Sequence, residues 1–142
     1  MVLQINVIDA WEMLRNNSKS ILIDVRTKEE IDFVGFVDLS QINAKLILLP
    51  WRTYPDMAIE GAFSNSLSVT ISKIFPRFSP NEIDLLFLCR SGSRSFEAAN
   101  AMSVFGYNCY NILDGFEGSL NSSSHRGCVN GWKANNLPWK QN

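Results

Sequence analysis

The chain has 142 residues, of which 46% are hydrophobic and 19% are charged, and its formal net charge is −1. This length predicts a single domain over residues 1–142, and the apolar fraction excludes disordered and low-complexity proteins. Thirteen basic residues stand against fourteen acidic ones, so no overall positive field favours nucleic acid or an anionic membrane. We therefore expect neither kind of partner.

The N-terminus lacks a positive region followed by a long apolar run, so we predict no secretory signal. No apolar run approaches the roughly 18 residues of a membrane span. The three cysteines, Cys89, Cys109 and Cys128, are widely spaced and form no CxxC pair, which argues against a disulfide framework and a zinc site. We predict a cytoplasmic protein that holds no metal and no cofactor.

Strands and helices alternate along the predicted elements. In chain order they are a helix over 9–15 capped by Asp9, a strand over 21–25, a helix from the capping box at 27–30 to about 34, a buried strand over 46–49, an apolar helical stripe over 63–78, a turn at 79–82, a buried strand over 85–88, a helix that ends at Gly106 and a strand over 110–113. This order predicts an α/β fold with a central, mainly parallel sheet and helices on both faces.

The segment that begins at Cys89 carries the candidate chemistry, because it follows a buried strand at the edge where parallel sheets bind ligands. Its further residues are Arg90, Ser91, Gly92, Ser93, Arg94 and Ser95. The backbone N–H groups of such a loop, the start of the next helix and two arginines all favour an anion, and therefore a thiolate over a thiol. A buried structural cysteine is the alternative. The glycine, the arginines and the following helix instead favour a nucleophile in a loop that also holds an oxyanion.

Residues 89–94 resemble the active-site loop of rhodanese-like sulfurtransferases, Cys-Arg-x-Gly-x-Arg. Three further segments match the family in the right order. They are Asp24-Val25-Arg26 with the acidic residues after it, Leu113-Asp114-Gly115, and Gly131-Trp132 with Leu137-Pro138. The resemblance therefore covers nearly the whole chain and implies the rhodanese-like fold, with five parallel strands flanked by helices.

The resemblance also implies a reaction. Cys89 would take a sulfane sulfur from a small donor such as thiosulfate, become a persulfide, and pass the sulfur to an acceptor, which is cyanide in an assay and a thiol or a protein in the cell. Backbone N–H groups from Arg90 to Ser95 would stabilise the sulfur anion, and Arg90 would attract the donor. For Arg94, donor binding and packing back to order the loop both stay open.

Two other functions stay open. A cysteine phosphatase or arsenate reductase needs Cys-x5-Arg, but Ser95 occupies the position where that arginine would stand. A binding or regulatory module of low turnover is the other alternative. It is suggested by residues 35–40, which depart from the Gly-His-Ile-x-Gly-Ala pattern of the family.

Several residues outside the loop are further candidates. Asp24 and Arg26 are candidates to support the loop. Asp24 is expected to cap backbone donors or pair with an arginine, with direct substrate contact as the alternative, and Arg26 either borders the pocket or pairs with Glu29 or Glu30. The segments from Trp51 to Ala62 and from Ser119 to Cys128 follow strand ends, so they either wall the pocket or decorate the surface. His125 is expected at the surface, and Cys128 is a candidate to resolve an oxidised Cys89.

Overall fold

A sheet of five parallel strands lies at the centre of the computed structural model, which describes residues 1–142. The helices are α1 (Val7–Asn16), α2 (Lys28–Val34), α3 (Phe63–Ile74), α4 (Ser93–Ser103) and α5 (Gly131–Ala134), with one 3-10 turn over Pro80–Glu82. The strands are β1 (Val2–Ile5), β2 (Ser20–Asp24), β3 (Phe36–Val37), β4 (Lys45–Leu48), β5 (Arg52–Thr53), β6 (Ala58–Ile59), β7 (Asp84–Leu88), β8 (Asn108–Ile112) and β9 (Trp139–Lys140).

The strand order in the central sheet is β1-β8-β7-β2-β4, and every neighbouring pair is parallel. Asp24 at the end of β2 is in register with Leu88 at the end of β7, and Asn111 on β8 is opposite Phe87. The carboxyl ends of these three strands therefore meet at one edge of the sheet, where Cys89 follows β7. The predicted α/β fold with a parallel five-stranded sheet is confirmed.

Apolar side chains pack on both faces of the sheet because successive strand residues point to opposite sides. Ile21 and Ile23 of β2 belong to a cluster with the buried residues of α3 and α4, whereas Leu22 between them belongs to a cluster with those of α1 and α5. Helices therefore cover the sheet on both faces, as the sequence predicts.

Three local predictions are wrong. Asn6, not Asp9, caps α1, and its Oδ1 accepts the backbone N–H of Asp9 at 2.8 Å. β4 is an edge strand in which only Ile47 is buried, so the expectation of a buried strand there fails. The apolar stripe ends earlier than predicted because α3 stops at Ile74, and Phe78 beyond it is exposed.

The predicted capping box of α2 is confirmed, and it fixes the turn after β2. The Thr27 hydroxyl accepts the Glu30 N–H while the Glu30 carboxylate accepts the Thr27 N–H. The helix ends at Gly35, whose φ of 92° is the left-handed conformation that glycine tolerates. The next residues form β3, which pairs antiparallel with β9. A side chain at Gly35 would lie 2.7 Å from the Lys140 carbonyl oxygen.

The helices are all too short, or too polar, to cross a bilayer.

Candidate active site

Cys89 lies directly after β7 and is almost fully buried, with 1% of its surface exposed. Gly92 has a φ of 114°, a conformation that turns the loop back on itself at the start of α4. Its N–H donates to Cys89 Sγ at 3.1 Å, and Ser95 Oγ lies 3.2 Å from the same sulfur. The loop therefore surrounds the sulfur with hydrogen-bonding groups.

Asn111 of β8 supports this loop from the neighbouring strand. Ser95 Oγ donates to its Oδ1 at 2.5 Å, and its Nδ2 donates to the Gly92 carbonyl oxygen at 3.1 Å and to Gln4 Oε1 at 2.7 Å. Asn111 and Gln4 are not among the site residues predicted from the sequence. A signal was available, since Asn111 interrupts an apolar strand, as Asp24 does.

Arg94 packs back against α2. Its Nη1 and Nη2 contact Glu30 Oε1 and Oε2 at 2.6 and 2.8 Å, and the two side chains are only 14% and 16% exposed. Burial opposes both charges, but the paired hydrogen bonds outweigh it, so the pKa of Arg94 is raised and the pKa of Glu30 is lowered to about 2. Both groups therefore stay charged at neutral pH, and Arg94 orders the loop.

Arg90 lines a cavity of about 870 Å³ beside the loop. It is exposed and forms no ion pair within the chain. The segments 51–62 and 119–128 both contribute side chains to the cavity. Tyr54 comes from the first, and the second contributes Leu120, Ser124, His125 and Arg126. The remaining lining residues are Glu29, Glu30, Phe33, Val34 and Glu117. Cys89 itself does not line the cavity.

Asp24 and Arg26 form a fully buried ion pair under the site. Arg26 Nη2 donates to Asp24 Oδ2 at 2.7 Å and to the Gly35 carbonyl oxygen at 2.9 Å, and neither side chain is exposed. Arg26 therefore pairs with Asp24 and not with a glutamate of α2. Its guanidinium also stacks on Phe116, 4.3 Å from the ring centre. The Phe116 N–H in turn donates to the Cys89 carbonyl oxygen at 2.8 Å.

The other two cysteines differ from Cys89. Cys109 is buried on β8, and burial raises the pKa of its thiol to about 12, so it stays protonated. Cys128 is exposed, and its Sγ donates a hydrogen bond to the Arg126 carbonyl oxygen at 3.8 Å. No group of three or more His, Cys, Asp or Glu side chains converges as metal ligands would.

The sequence profile of the Rhodanese-like domain family matches residues 7–122. The chain belongs to the rhodanese-like domain family. Among its relatives, the uncharacterized protein RC0915 of Rickettsia conorii is 43% identical over 132 residues, which are 92% of this chain and 91% of that protein. The uncharacterized protein RP600 of Rickettsia prowazekii is 42% identical over the same shares of the two chains.

Solved structures agree with this rhodanese-like fold. The crystal structure of Rv0390 from M. tuberculosis is 38% identical with a TM-score of 0.83, and the similarity covers 98% of this chain and 97% of that one. The polysulfide-sulfur transferase homodimer from Wolinella succinogenes has a TM-score of 0.64 at 18% identity, over 99% of this chain and 80% of that one.

Proposed function

We propose that this rhodanese-like domain is a sulfurtransferase that carries sulfane sulfur on Cys89. The observation that carries the proposal is the setting of the Cys89 sulfur, which accepts the Gly92 N–H at 3.1 Å beside a cavity that presents the unpaired guanidinium of Arg90. A backbone donor aimed at a sulfur favours its anionic form, and a free arginine attracts an anionic donor.

The first half of the reaction loads the sulfur. The Cys89 thiolate attacks the outer sulfur of thiosulfate, an S–S bond forms to Cys89, and the S–S bond within thiosulfate breaks to release sulfite with its electron pair. In the second half an acceptor thiolate attacks the terminal persulfide sulfur and leaves as a new persulfide, which returns Cys89 to the thiolate. No electrons are gained or lost overall, so no metal or cofactor is needed.

The proposal extends to the sulfur donor and acceptor, the cellular compartment and the residues that support the loop. The donor is a small sulfur compound, and the acceptor is a thiol or a protein. Cys89 must stay reduced to accept sulfur and the three cysteines are free, so we place the reaction in a reducing compartment, the cytoplasm. Asp24 and Arg26 support the loop through Phe116, and the segment 90–95 holds the anion.

Donor-screened persulfide formation tests the proposal. The protein is incubated with thiosulfate, mercaptopyruvate or glutathione persulfide, and its intact mass is measured before and after reduction. We expect the gain of one reducible sulfur with at least one donor, its loss in Cys89→Ser, and its retention in Cys128→Ser, which removes the exposed thiol instead. A gain that survives Cys89→Ser, or no gain with any donor, would contradict the proposal.

The burial of Cys89 favours a second candidate function. The sulfur is 1% exposed and does not line the cavity, which suits a rhodanese-fold binding module of low turnover. That function predicts a stoichiometric protein partner whose binding is unaffected by Cys89→Ser and no sulfur gain. A phosphatase or arsenate reductase, in contrast, predicts hydrolysis of p-nitrophenyl phosphate or thiol-dependent arsenate reduction by the same protein.

A further inference from the structure

Asn111 holds its amide in one orientation. Its Nδ2 lies 3.1 Å from the carbonyl oxygen of Gly92, and a backbone carbonyl can only accept a hydrogen bond. The second Nδ2 hydrogen goes to Gln4 Oε1 at 2.7 Å. Because the side chain is 98% buried among these partners, its exposed fraction being 2%, the amide has no solvent to turn toward. The Oδ1 atom therefore always faces Ser95.

The orientation of Asn111 decides where the Ser95 hydrogen points. A serine hydroxyl has one hydrogen and two lone pairs, whereas an amide oxygen has no hydrogen to give. The contact of 2.5 Å between Ser95 Oγ and Asn111 Oδ1 must therefore contain the Ser95 hydrogen. What Ser95 offers to Cys89 Sγ at 3.2 Å is then a lone pair. A lone pair accepts a hydrogen from a thiol and repels a thiolate.

We propose that Asn111 is a positioning residue for the sulfurtransferase reaction, an inference that rests on the function proposed above. Through Ser95 it holds Cys89 as a thiol before sulfur is loaded, in a chain that runs from the thiol hydrogen to Ser95 Oγ and from the Ser95 hydrogen to Asn111 Oδ1. When Cys89 loses its proton or carries a second sulfur, its Sγ has no hydrogen left. The Ser95 hydrogen then turns from Asn111 to the sulfur.

Turning the Ser95 hydrogen toward the sulfur costs free energy, because Asn111 loses its hydrogen-bond donor. Once the Ser95 hydrogen points at the sulfur, Asn111 Oδ1 is a buried acceptor without a donor, which a folded protein disfavours. The Gly92 N–H stays on the sulfur in both states and binds the anion more strongly than the thiol. The donor loop thus stabilises the sulfur anion, while Asn111 limits how much of it exists in the unloaded protein.

Charged groups on the surrounding elements bear on any pH profile of Cys89. They are Arg90 in the loop, Arg94 on α4, Glu30 on α2, and the Asp24–Arg26 pair at the end of β2. The pKa of Glu30 is lowered to about 2 and that of Arg94 is raised, each held by the other. This pair therefore keeps its charges throughout the neutral range. A His125→Gln variant controls for the histidine in the cavity that Arg90 lines.

The test is the rate of alkylation by iodoacetamide between pH 5 and pH 10, which needs no sulfur donor. All proteins carry Cys128→Ser, so that Cys89 is the reactive thiol, since burial keeps Cys109 protonated. In Asn111→Leu the Ser95 hydroxyl can donate its hydrogen to Cys89 Sγ, because Asn111 Oδ1 no longer accepts it. We expect alkylation at pH 7 to be about tenfold faster in this variant than in its parent. In a Ser95→Ala background the same substitution should change the rate less than about twofold.

An equal change in both backgrounds, or no change in either, would overturn the inference. Raman spectroscopy gives a second measurement that requires no variant of Asn111 to fold. In the unmodified protein at neutral pH, the difference spectrum against Cys89→Ser should contain an S–H stretching band, at lower frequency than the band of the apolar Cys109. Absence of that band, or a position equal to that of Cys109, would refute a thiol bonded to Ser95. Failure of sulfur loading with every donor, in contrast, would refute the proposed function alone.

Discussion

Replacing Glu30 by glutamine breaks the ion pair that ties α2 to the start of α4. The carboxylate receives both terminal nitrogens of Arg94, at 2.6 and 2.8 Å, and it also closes the capping box with Thr27. In Glu30→Gln the amide keeps the contact to Thr27 but cannot accept two N–H groups from Arg94. Because the pair is largely buried, the guanidinium then loses its counter-charge where water is scarce.

The magnitude follows from the proton affinity of the carboxylate. Burial raises the pKa of Glu30. The hydrogen bonds and the charge of Arg94, together with the hydrogen bonds from Thr27, outweigh burial and lower the pKa from 4.5 to about 2. Each tenfold difference in proton affinity is worth about 1.4 kcal/mol, so ionised Glu30 contributes about 3 kcal/mol to folding. A lowered pKa means that this stability is present above pH 4.5 and is lost as the pH falls through 2.

Urea unfolding at pH 7 and at pH 2.5 measures this contribution. We expect Glu30→Gln to lower the free energy of unfolding by about 3 kcal/mol at pH 7 and by much less at pH 2.5. Glu29→Gln is the matched control, since it removes a neighbouring carboxylate that pairs with no side chain, and it should cost no more than about 0.5 kcal/mol. A Glu30→Gln protein as stable as the parent at pH 7, or a loss that is the same at both pH values, would refute the reasoning.

Three other substitutions, two of them with a companion variant, test the site and its support. Arg90→Gln should raise the KM for thiosulfate several-fold, and the rise should shrink at high salt, while thermal stability stays unchanged because Arg90 is exposed. A side chain at Gly115, where φ is 63°, would collide with the Cys89 carbonyl oxygen, so Gly115→Ala should cost at least ~2 kcal/mol in urea unfolding. Gly61→Ala, which meets no atom within 4 Å, should cost almost nothing. Arg26→Met should lower the free energy of unfolding by about 3–5 kcal/mol. Adding Asp24→Asn to this variant should recover part of the loss. Equal losses at the two glycines would contradict the steric argument, and an additive double variant would contradict the ion-pair argument.

Local signals predicted the elements best. The Thr27–Glu30 capping box and the apolar run over 85–88 each describe interactions within a few residues, and the structure has both. The cap of α1 was missed because Asn6 and Asp9 are both good capping residues three positions apart, and the sequence does not say which one accepts. The first strand, Val2–Ile5, was missed because it is short and lies at the edge of the sheet.

Contacts between residues far apart in the sequence determine the features that local sequence patterns could not predict. The two roles considered for Arg94 could not be separated from the loop sequence, because its partner Glu30 lies 64 positions away. The same holds for Asn111, whose contacts reach β1 and the loop after β7. β4 has an apolar sequence like that of a central strand, but the order of strands in the sheet leaves it at the edge.

The C-terminal segment has a practical consequence for truncated versions of this protein. The match to the family profile ends at residue 122, yet the fully buried Trp132 packs edge-on against Trp11, and Trp139 lies against Phe116. A fragment trimmed to the matched region would retain the cysteine loop but lose Trp132 and Leu137 from the apolar cluster on the α1 side of the sheet, and Phe116 would lose its contact with Trp139. The unit that has to be expressed is therefore longer than the one that the family profile delimits.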